Sequence, residues 1–256
     1  TQMQRKKQEK QEKKEETEEE KEKNYGFQPH TNHRQRLKNR FLKEGLDFFD
    51  SHLILELLLF YSIPRRDTNE TAHRLLNEFG SLSGVFDANY EDLINCCGIG
   101  ESSALLIKMI PQYARAYMLD KSKGYPSFCQ LDKIGEYLIN YFIGAICEKI
   151  VVLLFNNNME LIDSIQLTEG SVSSANFPIR SLNDCLVRRN AACFIVAHNH
   201  PSGNLEPSQD DIATTKVLLK TFNDGLGIPM IDHIIVAEGR YNPIIRSTGI
   251  AKRQTS

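Results

Sequence analysis

The stretch Ala192-Cys193-Phe194-Ile195-Val196-Ala197-His198-Asn199-His200-Pro201-Ser202-Gly203-Asn204-Leu205-Glu206-Pro207-Ser208-Gln209-Asp210-Asp211 decides how the rest of the chain reads. Its first six residues form an apolar run of strand length, which Pro201 and Gly203 bring to a stop. In extended backbone, residues i and i+2 face the same way, so His198 and His200 present two imidazoles to one point. A loop closed by Pro207 then leads into a helix with Asp210 and Asp211 in its first turn, which returns a carboxylate towards the strand end. Two imidazoles and a carboxylate with an open fourth position form the donor set of a catalytic zinc site; structural zinc sites are closed by four protein ligands, often thiolates. Asp210 competes for the ligand role, and the spacing favours Asp211. Ser208 and Asp211 also fit Ser-x-x-Asp, a capping box that by itself accounts for both residues. His233, beside Asp232 and ahead of an apolar run, reads as a supporting or structural residue rather than a fourth ligand.

The surroundings of this stretch have the texture of an α/β domain. Ile150 to Phe155 is apolar throughout, the turn Asn156-Asn157-Asn158 ends it, and Leu161 to Leu167 alternates, which predicts an antiparallel pair. Ser181 to Arg189 and Asp210 to Phe222 read as helices, and Ile234 to Ala237 as a further strand. These elements make a mixed α/β domain over residues 131–250 with a mostly apolar central sheet. Residues 121–130 read as a linker, because Gly124 and Pro126 break both regular periods. Residues 24–120 read as all-α, with four to six short helices. Leu53 to Phe60 forms a buried segment ended before Pro64, and Ala72, Leu75, Leu76 and Phe79 mark another ended at Gly80.

Composition narrows the class further. The 256 residues carry 31 Lys and Arg against 33 Asp and Glu, with 41% hydrophobic residues, 6 Cys and no Trp. Residues 1–23 hold 8 basic residues, 8 Glu and a single hydrophobic residue, Met3. This low-complexity tract has no apolar stripe to drive it onto a core, so a frayed, solvated helix or disorder is expected. Residues 251–256 read as a second short tail. No apolar stretch approaches the roughly 18 to 20 residues needed to cross a bilayer, and the N-terminus is charged where a secretory signal places its apolar core. A cytoplasmic protein with no membrane partner is therefore expected. The cysteines form no Cys-x-x-Cys pair, which favours reduced thiols.

His198-x-His200-Pro201, followed after six residues by Ser208-x-x-Asp211, resembles the JAMM (MPN-plus) metalloprotease motif, with Asn199 where that family usually has Ser or Thr. Together with the preceding helical region, the chain from about 25 to 250 more closely resembles the bacterial RadC family, long labelled as DNA-repair proteins. The resemblance implies a cytidine-deaminase-like mixed sheet with flanking helices and a Zn²⁺ held by His198, His200 and Asp211. It further implies that the metal activates a water for attack on a peptide or isopeptide carbonyl, and that Ser208 donates to the oxyanion. A glutamate that opens the first strand of the domain would take the water's proton, and Glu148 occupies that place. From the residues alone, Glu160 or Glu169 could be argued equally.

The helical half supports a rival reading. Leu93 to Ile107, with Gly98-Ile99-Gly100 at its centre, resembles a helix-hairpin-helix element, in which the second helix offers free N–H groups to a phosphate of nonspecific DNA. His33-Arg34-Gln35-Arg36-Leu37-Lys38-Asn39-Arg40 and Arg65-Arg66 could add phosphate contacts. Against this, residues 24–120 carry 10 basic and 12 acidic side chains. Glu101 also stands where a phosphate would sit, and an ordinary αα-hairpin explains the glycines as well. Nothing in the sequence specifies an oligomeric state.

Overall fold

The structure, a computed structural model, describes residues 29–122, 130–169 and 177–250. The expected tails at 1–23 and 251–256, and most of the expected linker at 121–130, lie outside the described residues. The chain divides into two compact units between Ile107 and Lys108, inside a helix.

In the first unit the sequence is cut into short helices by its own punctuation. The helices are α1 (Pro29–Glu44), α2 (Ser51–Leu59), α3 (Asn69–Phe79), α4 (Leu82–Asp87), α5 (Tyr90–Asn95) and the beginning of α6 (Glu101–Ser122). Gly80 ends α3 at φ 79°, a left-handed cap that costs glycine nothing. Ser81 starts α4 by accepting a bond from the Gly84 amide. The core gathers Leu55, Leu59, Leu75, Leu93 and Ile107, all fully buried. Helix α1 is held by polar contacts. His33 Nε2 lies 2.9 Å from the buried Glu56 carboxylate, while Arg34 donates to the carbonyls of Ile63, Pro64 and Arg66 and stacks on Phe60. The guanidinium of Arg34, one of the residues that could add a phosphate contact, caps a loop of its own chain.

The second unit is a three-layer sandwich. After the remainder of α6 come α7 (Leu131–Tyr141), β1 (Lys149–Phe155), β2 (Leu161–Glu169), α8 (Ile179–Arg188), β3 (Cys193–Asn199), α9 (Gln209–Leu218), a π-helical turn (Leu219–Leu226), β4 (Met230–Ala237), β5 (Arg240–Pro243) and α10 (Ile244–Thr248). The five strands lie in the order β2-β1-β3-β4-β5, with β3 and β4 parallel and the other neighbours antiparallel. The hairpin read at Asn156 is present: the Asn156 side chain accepts from the amides of Asn158 and Glu160.

Ile150 to Phe155 of β1 and Cys193 to Ala197 of β3 are apolar throughout because both faces of the sheet are covered. Val151, Leu153, Phe155, Ile195 and Ala197 pack on one face with Ile134 and Leu138 of α7. Ile150, Val152, Leu154, Phe194 and Val196 pack on the other with Leu182 of α8, Leu218 of α9 and Phe222. At about 25 cal/mol per Å² of apolar surface, each fully buried Leu, Val or Phe contributes about 1.5–3 kcal/mol. The parity of β3 therefore fixes that Phe194, Val196 and His198 look towards α8 and α9.

Among the described residues no helix is long and apolar enough to cross a membrane. Cys96, Cys97, Cys147, Cys185 and Cys193 are free.

Candidate metal centre

The centre sits where β3 ends and β1 begins. His198 is the last-but-one residue of β3 and is buried; His200 follows it, with its amide bonded to the Val236 carbonyl of β4. The two Nε2 atoms are 2.9 Å apart. Asp211, in the first turn of α9, brings Oδ1 to 3.1 Å from His198 Nε2 and Oδ2 to 3.6 Å from His200 Nε2. Glu148 lies just ahead of β1, and its carboxylate and the two imidazoles offer ligand atoms within 4.8 Å of one another. The two histidines of β3's end are thus approached by Asp211 from α9 and by Glu148 from the start of β1, carboxylates far from each other in sequence. Of the two other glutamates the sequence allowed, Glu160 is not in this group, and the Glu169 side chain lies outside the described residues. Glu160 closes the turn at the far end of β1, bonded to Asn156, while Glu169 pairs through its backbone with Lys149. Asp210 is exposed.

A helix cap aims Asp211. The Ser208 hydroxyl accepts from the Asp211 amide at 3.1 Å, and the Asp211 Oδ2 accepts from the Ser208 amide at 2.8 Å and from its hydroxyl at 2.6 Å. The capping box is therefore real, and it holds the same carboxylate that reaches the histidines. Burial alone would raise the Asp211 pKa. The bonds it accepts from the Ser208 amide and hydroxyl oppose this and favour the ionised carboxylate, holding the carboxyl below the usual range.

Asn199 is the residue the sequence reading marked only as a departure. Pointing away from its two histidine neighbours, it accepts from the Lys149 amide at 2.8 Å and donates to the carbonyls of Cys147 at 3.0 Å and Ala145 at 3.3 Å. Three bonds from one buried amide tie the segment that carries Glu148 to the strand that carries the histidines. Only a carboxamide can both donate twice and accept on so short a stem. The alternation of β3 was the signal that could have found it.

The loop between His200 and α9 is braced from β4 and β5. Asn242 Nδ2 donates to the Leu205 carbonyl at 2.9 Å. Gly203 adopts φ 82°, and a Cβ there would come within 2.5 Å of Glu238 Oε1. His233, on β4, is buried with its Nε2 3.0 Å from His198 Nδ1, and its Nδ1 is 2.8 Å from the Thr215 hydroxyl. Burial lowers its pKa well below the ordinary imidazole range. It lies against His198 and is not in the ligand group found among the described residues.

The donor set fits a metal ion. In a tetrahedral zinc site with bonds of 2.0–2.1 Å, neighbouring ligand atoms stand about 3.3 Å apart. The two Nε2 atoms are 2.9 Å apart, and Asp211 offers Oδ1 at 3.1 Å from one and Oδ2 at 3.6 Å from the other, separations on either side of that distance.

Residues 128–248 match the family model described as the RadC-like JAB domain. A UPF0758 protein of Fusobacterium nucleatum is 32% identical over 216 residues, which cover 82% of this chain and 93% of that one. The chain belongs to the RadC family. A UPF0758 protein of Carboxydothermus hydrogenoformans is 32% identical over 207 residues, 80% of this chain and 91% of its own. One from Ruegeria pomeroyi is 29% identical over 207 residues, 81% and 92% of the two chains. The RadC-like JAB domain coincides with the five-stranded sheet and carries every residue of the candidate centre.

Proposed function

We propose that this RadC-family chain is a zinc-dependent hydrolase of the JAMM metallopeptidase type, acting on a peptide or isopeptide bond. The observation that carries the reading is the convergence of His198 Nε2, His200 Nε2 and the ionised Asp211 carboxylate within 3.6 Å, with Glu148 beside them and no thiolate among them. Three protein donors leave a position open for substrate, as catalytic sites do. Zinc held by His198, His200 and Asp211 would supply Lewis acidity and bring the pKa of a coordinated water towards about 7.

The remaining steps belong to the chain's own side chains. Glu148 takes the proton of the attacking water and returns it to the leaving amine, the two halves of general acid–base catalysis. Asn199 keeps it in place for both. Ser208, exposed at the N-cap of α9, holds its hydroxyl proton on Asp211 Oδ2. It swings that proton to the carbonyl oxygen as negative charge gathers there, a donation of the kind worth about 2.7–4 kcal/mol.

Metal analysis combined with a hydrolysis assay tests the reading. The wild-type protein is expected to carry about one zinc per chain, and His198→Ala and Asp211→Ala are expected to lose it. Glu148→Gln should keep the metal and lose cleavage of peptide and isopeptide-linked substrates. A folded wild type that takes up no zinc overturns the proposal.

A further inference from the structure

We propose that Thr215 and His233 are positioning residues that fix the tautomer of His198, turning its Nε2 lone pair, and not an N–H, towards His200 and Asp211. The inference rests on the metal reading above for its purpose, but its geometry stands independently of it. The direction of every hydrogen bond in the chain of contacts can be assigned from its first member. The Asp211 carbonyl can only accept, so the Thr215 hydroxyl, 2.6 Å away, donates to it. A hydroxyl has one proton. With that proton committed, Thr215 Oγ1 can only accept at 2.8 Å from His233 Nδ1, which must therefore carry a hydrogen. His233 is enclosed; its backbone amide bonds the Asp232 carboxylate, but among the described residues neither ring nitrogen bonds a carboxylate that would favour a second ring proton. Its Nε2 is then a bare acceptor, and His198 Nδ1, 3.0 Å from it, is the donor. The other nitrogen of His198 is left with its lone pair facing the centre.

His200 reaches the same state in one step. Its Nδ1 lies 2.7 Å from the Asn204 carbonyl and must donate to it, so its Nε2 also presents a lone pair. Two lone pairs 2.9 Å apart beside a carboxylate repel one another until a cation sits among them, which is the electrostatic condition a metal site requires. The longer route to His198 begins on Asp211 itself. Thr215 stands four residues on, on the same face of α9, and His233 is paired with Val196 in the parallel ladder beside His198. One residue thus contributes its carboxylate to the centre and, through its carbonyl, sets the proton that turns a second ligand towards it.

Histidine tautomers read by long-range ¹⁵N–¹H NMR on the metal-free protein, together with zinc affinity by chelator competition, test this. In the wild type, His198 and His200 are both expected as the Nδ1–H tautomer. Thr215→Val, which removes the hydroxyl at nearly constant shape, should leave His198 as a mixture and His200 unchanged, and should weaken zinc about 10- to 100-fold. Thr215→Ser should restore both readings. His233→Phe breaks the chain at its next link and should reproduce the valine result, and the unchanged His200 signal reports that the fold survives. If both variants keep His198 wholly in the Nδ1–H form with wild-type zinc affinity, the inference is overturned. Wild type that binds no zinc but shows the tautomer shift in Thr215→Val would remove the metal reading alone.

Discussion

Asn199 stands between two histidines and does the opposite work. His198 and His200 converge with Asp211, while the carboxamide between them reaches back to Ala145, Cys147 and Lys149 and decides where Glu148 stands. Removing a buried side chain that makes three hydrogen bonds breaks all three, a loss of about 1–3 kcal/mol. For Asn199→Ala we expect a corresponding drop in stability to denaturant, zinc content unchanged, and hydrolysis reduced more than metal binding. Equal losses of metal and activity would place the damage at the histidines instead. At this scale the candidate ligands His198, His200 and Asp211 were legible because their residue types and spacing state a geometry. Glu148 was not, since a glutamate at a strand start has many uses, and only the resemblance selected it. Thr215 and His233 act through the third dimension, where α9 folds over β4, and no spacing in the chain announces that meeting.

Turns and caps rather than strands hold the centre's shape. Strands β1 to β4 and helix α9 followed from periodicity, because a sheet covered on both faces has to be apolar at nearly every residue. Helix α7 and the short strand β5 were not read. Helix α7 packs Gly135 so closely on Tyr241 that a Cβ would fall 2.2 Å from its ring, a fit that depends on β5 being there. Gly203 poses the same problem in the loop between His200 and α9, with the added demand of φ 82°. Gly203→Ala should destabilise the domain by about 1–2 kcal/mol from backbone conformation alone, with a further loss from the Glu238 carboxylate. Combining it with Glu238→Ala should recover the second part and leave the first. A double-mutant cycle in denaturant checks this, and strict additivity would show that Glu238 gives way without cost.

The whole molecule is close to neutral, and its two units answer to different chemistry. The first unit buries Cys96, whose thiol is pushed up to about 11 by burial and then by its hydrogen bond to Glu78. A thiol that the fold keeps protonated contributes stability that is complete below its unfolded pKa near 9 and is lost as pH rises through the folded value. The stability difference between wild type and Cys96→Ala is therefore expected to shrink by about 1–2 kcal/mol from pH 9 to pH 11, followed by chemical denaturation at each pH. A difference that stays constant over that window would contradict it. Charge counting foresaw that this unit has no basic excess. It could not foresee that Arg34 is already engaged by three carbonyls of its own chain.

The alternation of β3 also works as a reading frame. Phe194, Val196 and His198 form one phase and Ile195, Ala197 and Asn199 the other, so the protein keeps two functions on a single ribbon by separating odd from even. An insertion or deletion of one residue upstream in this strand would exchange the phases, sending the amide to α9 and the imidazoles to the segment before β1. A change of two residues would preserve them. Length variation in descendants of this gene is therefore expected to be even-numbered, or absent, within β3, and unrestricted by parity where the chain leaves the sheet.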